Sequence, residues 1–323
     1  MSFAARTARL TAVLATLALM TLACGGDESG GGGETSSGAD LSGASFTVGS
    51  KEFTEQLVMG QITLMALEAA GAEVEDQTGI TGTTNVRKAL DSDEIDMYWE
   101  YTGTGFAEIL GNEVGQAPPE EQELYDLVKE TDLEQNGVVW TALTAVNNTY
   151  AIATSQGASD EFGVATLTDY AGLVGSDPEA AGMCAASEFI NRADGLPGLE
   201  QAYGFDLPEE SITEVELGII FTRVPEGDPC NFGEVFATDG RIPANDMVVL
   251  EDDQDFFVKY NLALTVNQEA YDEYAEEIDA IFTPIAEALD TETLQELNSQ
   301  VDVDGLLPEE VAQVWLEENG FIG

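Results

Sequence analysis

Histidine is absent from the 323-residue chain, and basic side chains are scarce: ten lysines and arginines face 62 aspartates and glutamates, for a formal charge of -52. Without imidazole there is no Ser-His or Cys-His nucleophile pair and no histidine metal ligand, which removes the commonest hydrolase and zinc-site chemistries. So few cations make a poor partner for nucleic acid, where each phosphate contact calls for Lys or Arg. Past the N-terminus no segment is apolar for long enough to cross a bilayer, so the body reads as soluble. What is present is ordinary for a folded chain. The hydrophobic fraction of 44% is near the globular norm, so the charge is not a mark of disorder. The length predicts roughly two domains with a sizeable core.

Residues 1–23 read as an export signal: Arg6 and Arg9 form a positive start, and Leu10 to Leu22 is an apolar run too short for a permanent span. The segment ends Met20-Thr-Leu-Ala-Cys24, which resembles a bacterial lipoprotein signal although Thr21 stands where leucine is usual. That resemblance implies lipidation at Cys24 and an extracytoplasmic, membrane-anchored protein; plain secretion is the alternative. Residues 24–44 are nearly all Gly, Ser, Thr, Asp and Glu, a tether of about 20 residues with a reach of about 25 Å. If Cys24 carries lipid, Cys184 and Cys230 remain as an even pair in an oxidising compartment. A disulfide is the preferred reading, and two separate buried thiols also fit.

The signal takes two arginines and no acid, so the remainder sets 62 acids against eight bases: Lys51, Arg87, Lys88, Lys129, Arg192, Arg223, Arg241 and Lys259. Where lysine is so rare on solvated faces, each surviving cation is expected to have a specific partner.

The body alternates strands and helices. Phe46 to Ser50 predicts a strand running into a helix over 54–70, with Val58, Ile62, Met65 and Ala69 on one face and Gly71 as its stop. A turn at 81–83, a short helix through Val86 and Leu90, and a strand over 95–99 follow. This order predicts α/β layers with a largely parallel sheet, whose ligands sit beyond strand carboxyl ends near helix starts. The pattern restarts at Asn147 with a strand over 150–153 and a helix cap at Thr166 to Asp169; strands at 248–250 and 260–266 are expected to return to the first half. Three helices close the chain, over 268–289, 292–299 and 309–319. Asp302-Val-Asp304-Gly305 lacks the first carboxylate and the distal Glu of a calcium loop and reads as a turn. No metal and no cofactor is called for.

Five segments in order resemble one family: Val48-Gly-Ser-Lys-Glu-Phe-Thr-Glu-Gln56, Ile95-Asp-Met-Tyr-Trp-Glu-Tyr-Thr-Gly-Thr104, Glu188-Phe-Ile-Asn-Arg-Ala-Asp-Gly-Leu-Pro-Gly198, Glu234-Val-Phe-Ala-Thr-Asp-Gly240 and Tyr260-Asn261. The family is the substrate-binding proteins of osmoprotectant ABC importers, for ligands such as glycine betaine, choline and carnitine. The resemblance covers about residues 45–323. It implies a type II periplasmic-binding-protein fold, with residues 45–146 and 262–323 in one lobe, 147–261 in the other, and a two-strand hinge. It also implies a membrane permease and, through it, an ATPase as partners of a monomeric binding protein.

The resemblance maps an aromatic cage for a quaternary ammonium onto Tyr101, Tyr150 and Tyr260, with Phe236 where tyrosine is common. It places Lys51, Thr104 and Arg192 around a ligand carboxylate. The chemistry fits independently, because a trimethylammonium has no N–H to donate and ring faces host its charge. Arg offers a planar fork to a carboxylate, Lys a point charge and Thr a hydroxyl. Bland alternatives stand beside each: the aromatics as core, Arg192 paired with Asp194 or Glu188, Lys51 neutralising Glu52. Tyr98, Trp99 and Trp140 are assigned to packing. Glycine betaine is the favoured ligand over choline, carnitine, proline betaine and ergothioneine. An enzyme without a recognisable catalytic motif and a lipid-tethered sensor domain are the alternatives of other classes.

The acid excess also points to a salty habitat, because screening blunts self-repulsion. The protein is expected to melt at a lower temperature on dilution from molar salt into dilute buffer; a melting temperature indifferent to salt would contradict this.

Overall fold

The computed structural model describes residues 38–323; the export signal, Cys24 and most of the tether lie outside the described residues. The packed body begins before Ser45. Leu41 and Ala44 are buried, and the Leu41 N–H donates to the Ala70 carbonyl at 2.8 Å. The expected tether to residue 44 is therefore too long at its C-terminal end: one leucine among polar neighbours suffices to dock on the end of the first helix.

Alternating apolar residues form β1 (Ser45–Lys51), with Phe46 and Val48 buried. The helix that follows, Thr54–Ala69, stops before Gly71 at φ +95°, a conformation glycine adopts without steric cost. One buried face was expected. Instead Met59, Leu64, Ala66 and Leu67 are buried as well, because helices Thr291–Asp302 and Pro308–Glu318 cover the side away from the sheet.

The remaining strands are β2 (Glu73–Ile80), β3 (Met97–Tyr101), β4 (Val138–Thr141), β5 (Tyr150–Ser155), β6 (Met183–Ala185), β7 (Ile212–Glu214), β8 (Phe232–Phe236), β9 (Met247–Val249) and β10 (Leu262–Asn267). They build two five-stranded sheets, β2-β1-β3-β10-β4 and β7-β6-β8-β5-β9. Each sheet is three parallel strands, then two antiparallel pairings. The expected largely parallel sheet is thus corrected to a mixed one. The antiparallel fourth strand, β10 or β5, is in each case the strand that has just crossed from the other sheet. Residues 248–250 do not return to the first half: β9 pairs with β5 and stays in the second sheet. The edge strand β2 gave no strand signal, since Glu73, Glu75 and Asp76 disfavour strand. They are exposed there, as charges that blunt an open edge.

The two crossing segments lie side by side. The Thr144 N–H donates to Leu262 O at 2.9 Å, Asn148 N–H to Tyr260 O at 3.0 Å, and Asn147 bridges Asn261. In the second sheet Cys184 of β6 is joined to Cys230, just ahead of β8, with Cα atoms 5.6 Å apart. Tyr98, Trp99 and Trp140 are all buried packing residues. Five of the eight scarce cations form ion pairs among the described residues: Lys51, Arg87, Arg192, Arg223 and Arg241.

Candidate functional site

Antiparallel register brings strand ends from both sheets to one place. Tyr150, opening β5, stands opposite Phe236, closing β8; Leu262 of β10 stands opposite Tyr101, closing β3, so Tyr260 falls beside that end. Phe53 precedes the first helix at its N-cap. The five rings form a continuous series. Centroid distances are 6.3 Å for Tyr101–Phe53, 5.2 Å for Phe53–Phe236, 5.1 Å for Phe236–Tyr150 and 5.9 Å for Tyr150–Tyr260, all within the range of favourable aromatic pairs.

The rings enclose a space of about 20 Å³. Every one of the seven residues selected from sequence lines it: Tyr101, Tyr150, Phe236, Tyr260, Lys51, Thr104 and Arg192. Phe53, Asn148 and Glu188 line it too and were not selected. Phe53 had a signal, an aromatic at a strand-to-helix turn where a polar cap is preferred. Glu188 reaches across the sheets, its Oε1 accepting the Thr83 N–H at 2.8 Å. The space adjoins a cavity of about 640 Å³, with which it shares Lys51, Phe53, Tyr150, Glu188 and Phe236.

Both cations at the site have carboxylate partners. Lys51 Nζ lies 2.7 Å from Glu100 Oε1 and 5.2 Å from the Tyr101 ring centroid. Glu52, the neighbour considered from sequence, is not its partner. Arg192, 8% exposed, forks onto Asp194 through Nε at 2.8 Å and Nη2 at 2.5 Å. Its Nη1 donates to Thr83 Oγ1 at 3.3 Å and Nη2 lies 3.5 Å from Thr104 Oγ1. The Tyr260 hydroxyl donates to the same Asp194 at 2.5 Å. Burial alone would lower the Arg192 pKa; Tyr150, Asp194 and Tyr260 facing it reverse this and hold it above its usual value. The Tyr150, Tyr260 and Tyr101 hydroxyls are pushed well above the ordinary phenol range, first by burial.

Behind Tyr101 sits Glu55, a buried carboxyl group with no ion-pair partner among the described residues. It accepts from the Tyr101 hydroxyl at 2.7 Å, Asn148 Nδ2 at 2.9 Å, Thr238 Oγ1 at 2.5 Å and Asn298 Nδ2 at 3.2 Å. Burial raises its pKa, and the four donors offset this only in part.

The family described as the substrate-binding domain of ABC-type glycine betaine transport systems matches residues 44–318. The chain belongs to this family, OpuAC. Two of its curated relatives are 32% identical. The glycine-betaine-binding protein of Pseudomonas aeruginosa aligns over 280 residues, 85% of this chain and 88% of the relative. The glycine betaine-binding protein YehZ of Escherichia coli aligns over 278 residues, 85% of this chain and 90% of the relative. The ergothioneine transport permease/ergothioneine binding protein EgtU of Helicobacter pylori is 30% identical over 277 residues, 85% of this chain but 48% of that longer protein. The solved structure of apo YehZ superposes with a TM-score of 0.62 at 31% identity, covering 85% of this chain and 99% of that one. This OpuAC-family protein therefore has the two-lobed type II periplasmic-binding-protein fold, and its family serves ABC importers as extracytoplasmic substrate-binding proteins.

Gly103, in the Tyr101–Thr104 motif, lets the Tyr260 ring lie against the backbone. A Cβ there would stand 2.8 Å from two Tyr260 ring atoms and 2.9 Å from the Lys259 carbonyl. Gly103→Ala is expected to displace Tyr260 from the ring series and to weaken ligand binding by about tenfold, a loss comparable with one impaired ring contact. Titration calorimetry checks this, and undiminished affinity would show that Tyr260 is dispensable.

Proposed function

We propose that this OpuAC-family protein captures a quaternary ammonium zwitterion, glycine betaine foremost, between its two sheets and delivers it to an ABC permease. The observation that carries the proposal is the unbroken series of five rings on one cavity with Lys51 and Arg192. A trimethylammonium is weakly hydrated and finds its host in ring faces, each desolvated contact contributing about 2 kcal/mol. Several such contacts approach the roughly 8 kcal/mol of a micromolar complex. Tyr101, Tyr150, Phe236 and Tyr260, joined by Phe53, form the cage in this reading. Lys51, Thr104 and Arg192 hold the carboxylate. The glycine-betaine-binding relatives from two bacteria support it. Sheet membership supports lobes of residues 45–146 with 262–323 and of 147–261, hinged at the paired crossing segments. Lipidation at Cys24 would anchor a monomer outside the cell membrane, with the permease and its ATPase as partners.

The ion pairs revise the reason for favouring a zwitterion. Lys51 and Arg192 do not make the cavity positive, because Glu100 and Asp194 neutralise them and Glu188 adds a further negative charge. Any carboxylate preference rests on aimed N–H groups rather than on net charge. This favours choline as a second reading, since choline brings no anion to a site without positive excess.

Isothermal titration of the purified protein in high salt with glycine betaine and choline separates the two. Tight betaine and weak choline binding is the expected result; choline alone would transfer the function to the second reading. The Tyr150 hydroxyl has no hydrogen-bond partner among the described residues, so its ring is the functional part. Tyr150→Phe is expected to hold affinity within about threefold, whereas Tyr150→Leu loses about 10- to 30-fold. Equal losses would remove the cage. Arg192→Lys keeps a charge beside Asp194 without the planar fork, and should weaken betaine about tenfold while leaving choline nearly unchanged. Parallel losses for both ligands would remove the carboxylate role.

A further inference from the structure

The helix Thr291–Asp302 has two working faces. Leu294 and Leu297 are buried in the core shared with the first helix. Gln295, Asn298, Ser299 and Asp302 stand at i, i+3, i+4 and i+7, the spacing of one helical face. That face meets a single stretch of chain from the other half, residues 237–241 just past β8. Gln295 Nε2 donates to the Ala237 carbonyl at 2.9 Å and Asn298 Nδ2 to the Thr238 carbonyl at 3.1 Å. Asp302 Oδ2 lies 3.3 Å from Arg241 Nε. Ser299 is matched by Gly240. A Cβ on Gly240 would stand 2.7 Å from the Gln295 carbonyl oxygen and from Ser299 Cβ, and 2.9 Å from Ser299 Cα. The Gly240 backbone, at φ -65° and ψ -15°, is open to any residue, so what glycine supplies here is room for the helix.

None of Ala237, Gly240, Gln295 and Ser299 lines the ring-lined space or the cavity beside it. The seam therefore joins the halves without touching what they hold between them. Two of its bonds run from neutral amides to backbone carbonyls, which salt does not screen as it screens surface charge.

We propose that this seam is a clasp that sets affinity from outside the binding space: it closes part of the population before a ligand arrives, and Gly240 and Gln295 are positioning residues for every ligand that the cleft takes. The inference rests on the reading above, in which the ligand sits between the two sheets. A ligand that binds the closed arrangement is held more weakly by the factor by which that arrangement is under-populated. Weakening the clasp thus lowers affinity for all ligands alike, whereas a change in the rings or at Arg192 sorts one ligand from another.

The test uses the purified protein in high salt with two variants. Gly240→Ala adds one methyl group that meets the helix only when the halves are closed. Gln295→Met keeps the length and helix propensity of the side chain but removes the donor to Ala237. Calorimetry with glycine betaine and with choline is expected to show a loss of about tenfold for Gly240→Ala and about fivefold for Gln295→Met. The factor should be the same for each ligand that binds, with one site per molecule throughout. Stopped-flow fluorescence should place the loss in faster release. X-ray scattering of the ligand-free protein should show a larger radius of gyration in both variants than in the unmodified chain. Unchanged affinity, a loss confined to one ligand when both bind, or identical ligand-free scattering would each overturn the clasp. Should Gly240→Ala fail to fold, Gln295→Met decides alone by the same readings. If neither compound binds the unmodified protein, the quaternary-ammonium reading falls, and the scattering comparison still decides the clasp.

Discussion

The arrangement turns on a buried carboxyl group that, among the described residues, is held by hydrogen bonds rather than by a cation. Glu55 projects from the first helix, and its four donors come from four separate places: the end of β3, a crossing segment, the loop after β8 and a C-terminal helix. A carboxylate out of water is costly unless its lone pairs are met. Each donor is therefore held to a narrow range of positions, and both sheets are involved. One consequence is local, since the Tyr101 hydroxyl is pinned and its ring face is set. The other is global, since Thr238 belongs to the half of the chain between the crossings and Asn298 to the half beyond them. Ring orientation and sheet-to-sheet registration thus depend on the same oxygen atoms.

The chain treats its cations and its acids in opposite ways. Acids crowd the solvent-facing positions of β2 and of the outer helices. Three of the basic groups, Lys51, Arg87 and Arg192, are drawn inward, where Arg87 forks onto Asp132 and Arg192 onto Asp194. In a chain this acidic, a partner for each buried cation is always near. Scarcity of lysine therefore marks which cations matter to the structure, but it does not by itself show that they wait for a ligand anion.

Much of the lining of the candidate site was legible in the sequence. Motif order placed seven side chains that the fold then collects around one space, because strand ends and the residues just past them are where such sheets present side chains. Phe53 escaped because its neighbours drew attention to Lys51, and a ring at a helix start looks like local packing. Glu188 and Asn148 escaped because their roles are set across the two sheets, which periodicity within one segment does not reveal. The same limit explains the strand errors. An acidic edge such as β2 carries no apolar alternation, and whether residues 247–249 return or stay is decided by β5, nearly a hundred residues upstream. The parallel pair β1 and β3 was visible in the strand-helix-strand rhythm; the antiparallel fourth strand was not, because it enters from the other half.

The five rings do not belong to one piece of the molecule. Tyr101 and Phe53 travel with the first sheet, Tyr150 and Phe236 with the second, and Tyr260 rides on a crossing segment whose backbone is bonded to its neighbour. Any rotation at those crossings divides the series and returns its faces to water. In the proposed reading the host for a cation is then not a chamber with a door but an assembly that exists only while the halves meet. On that reading, whatever draws the halves apart dissolves the binding surface itself, and the cargo is let go without having to be outcompeted.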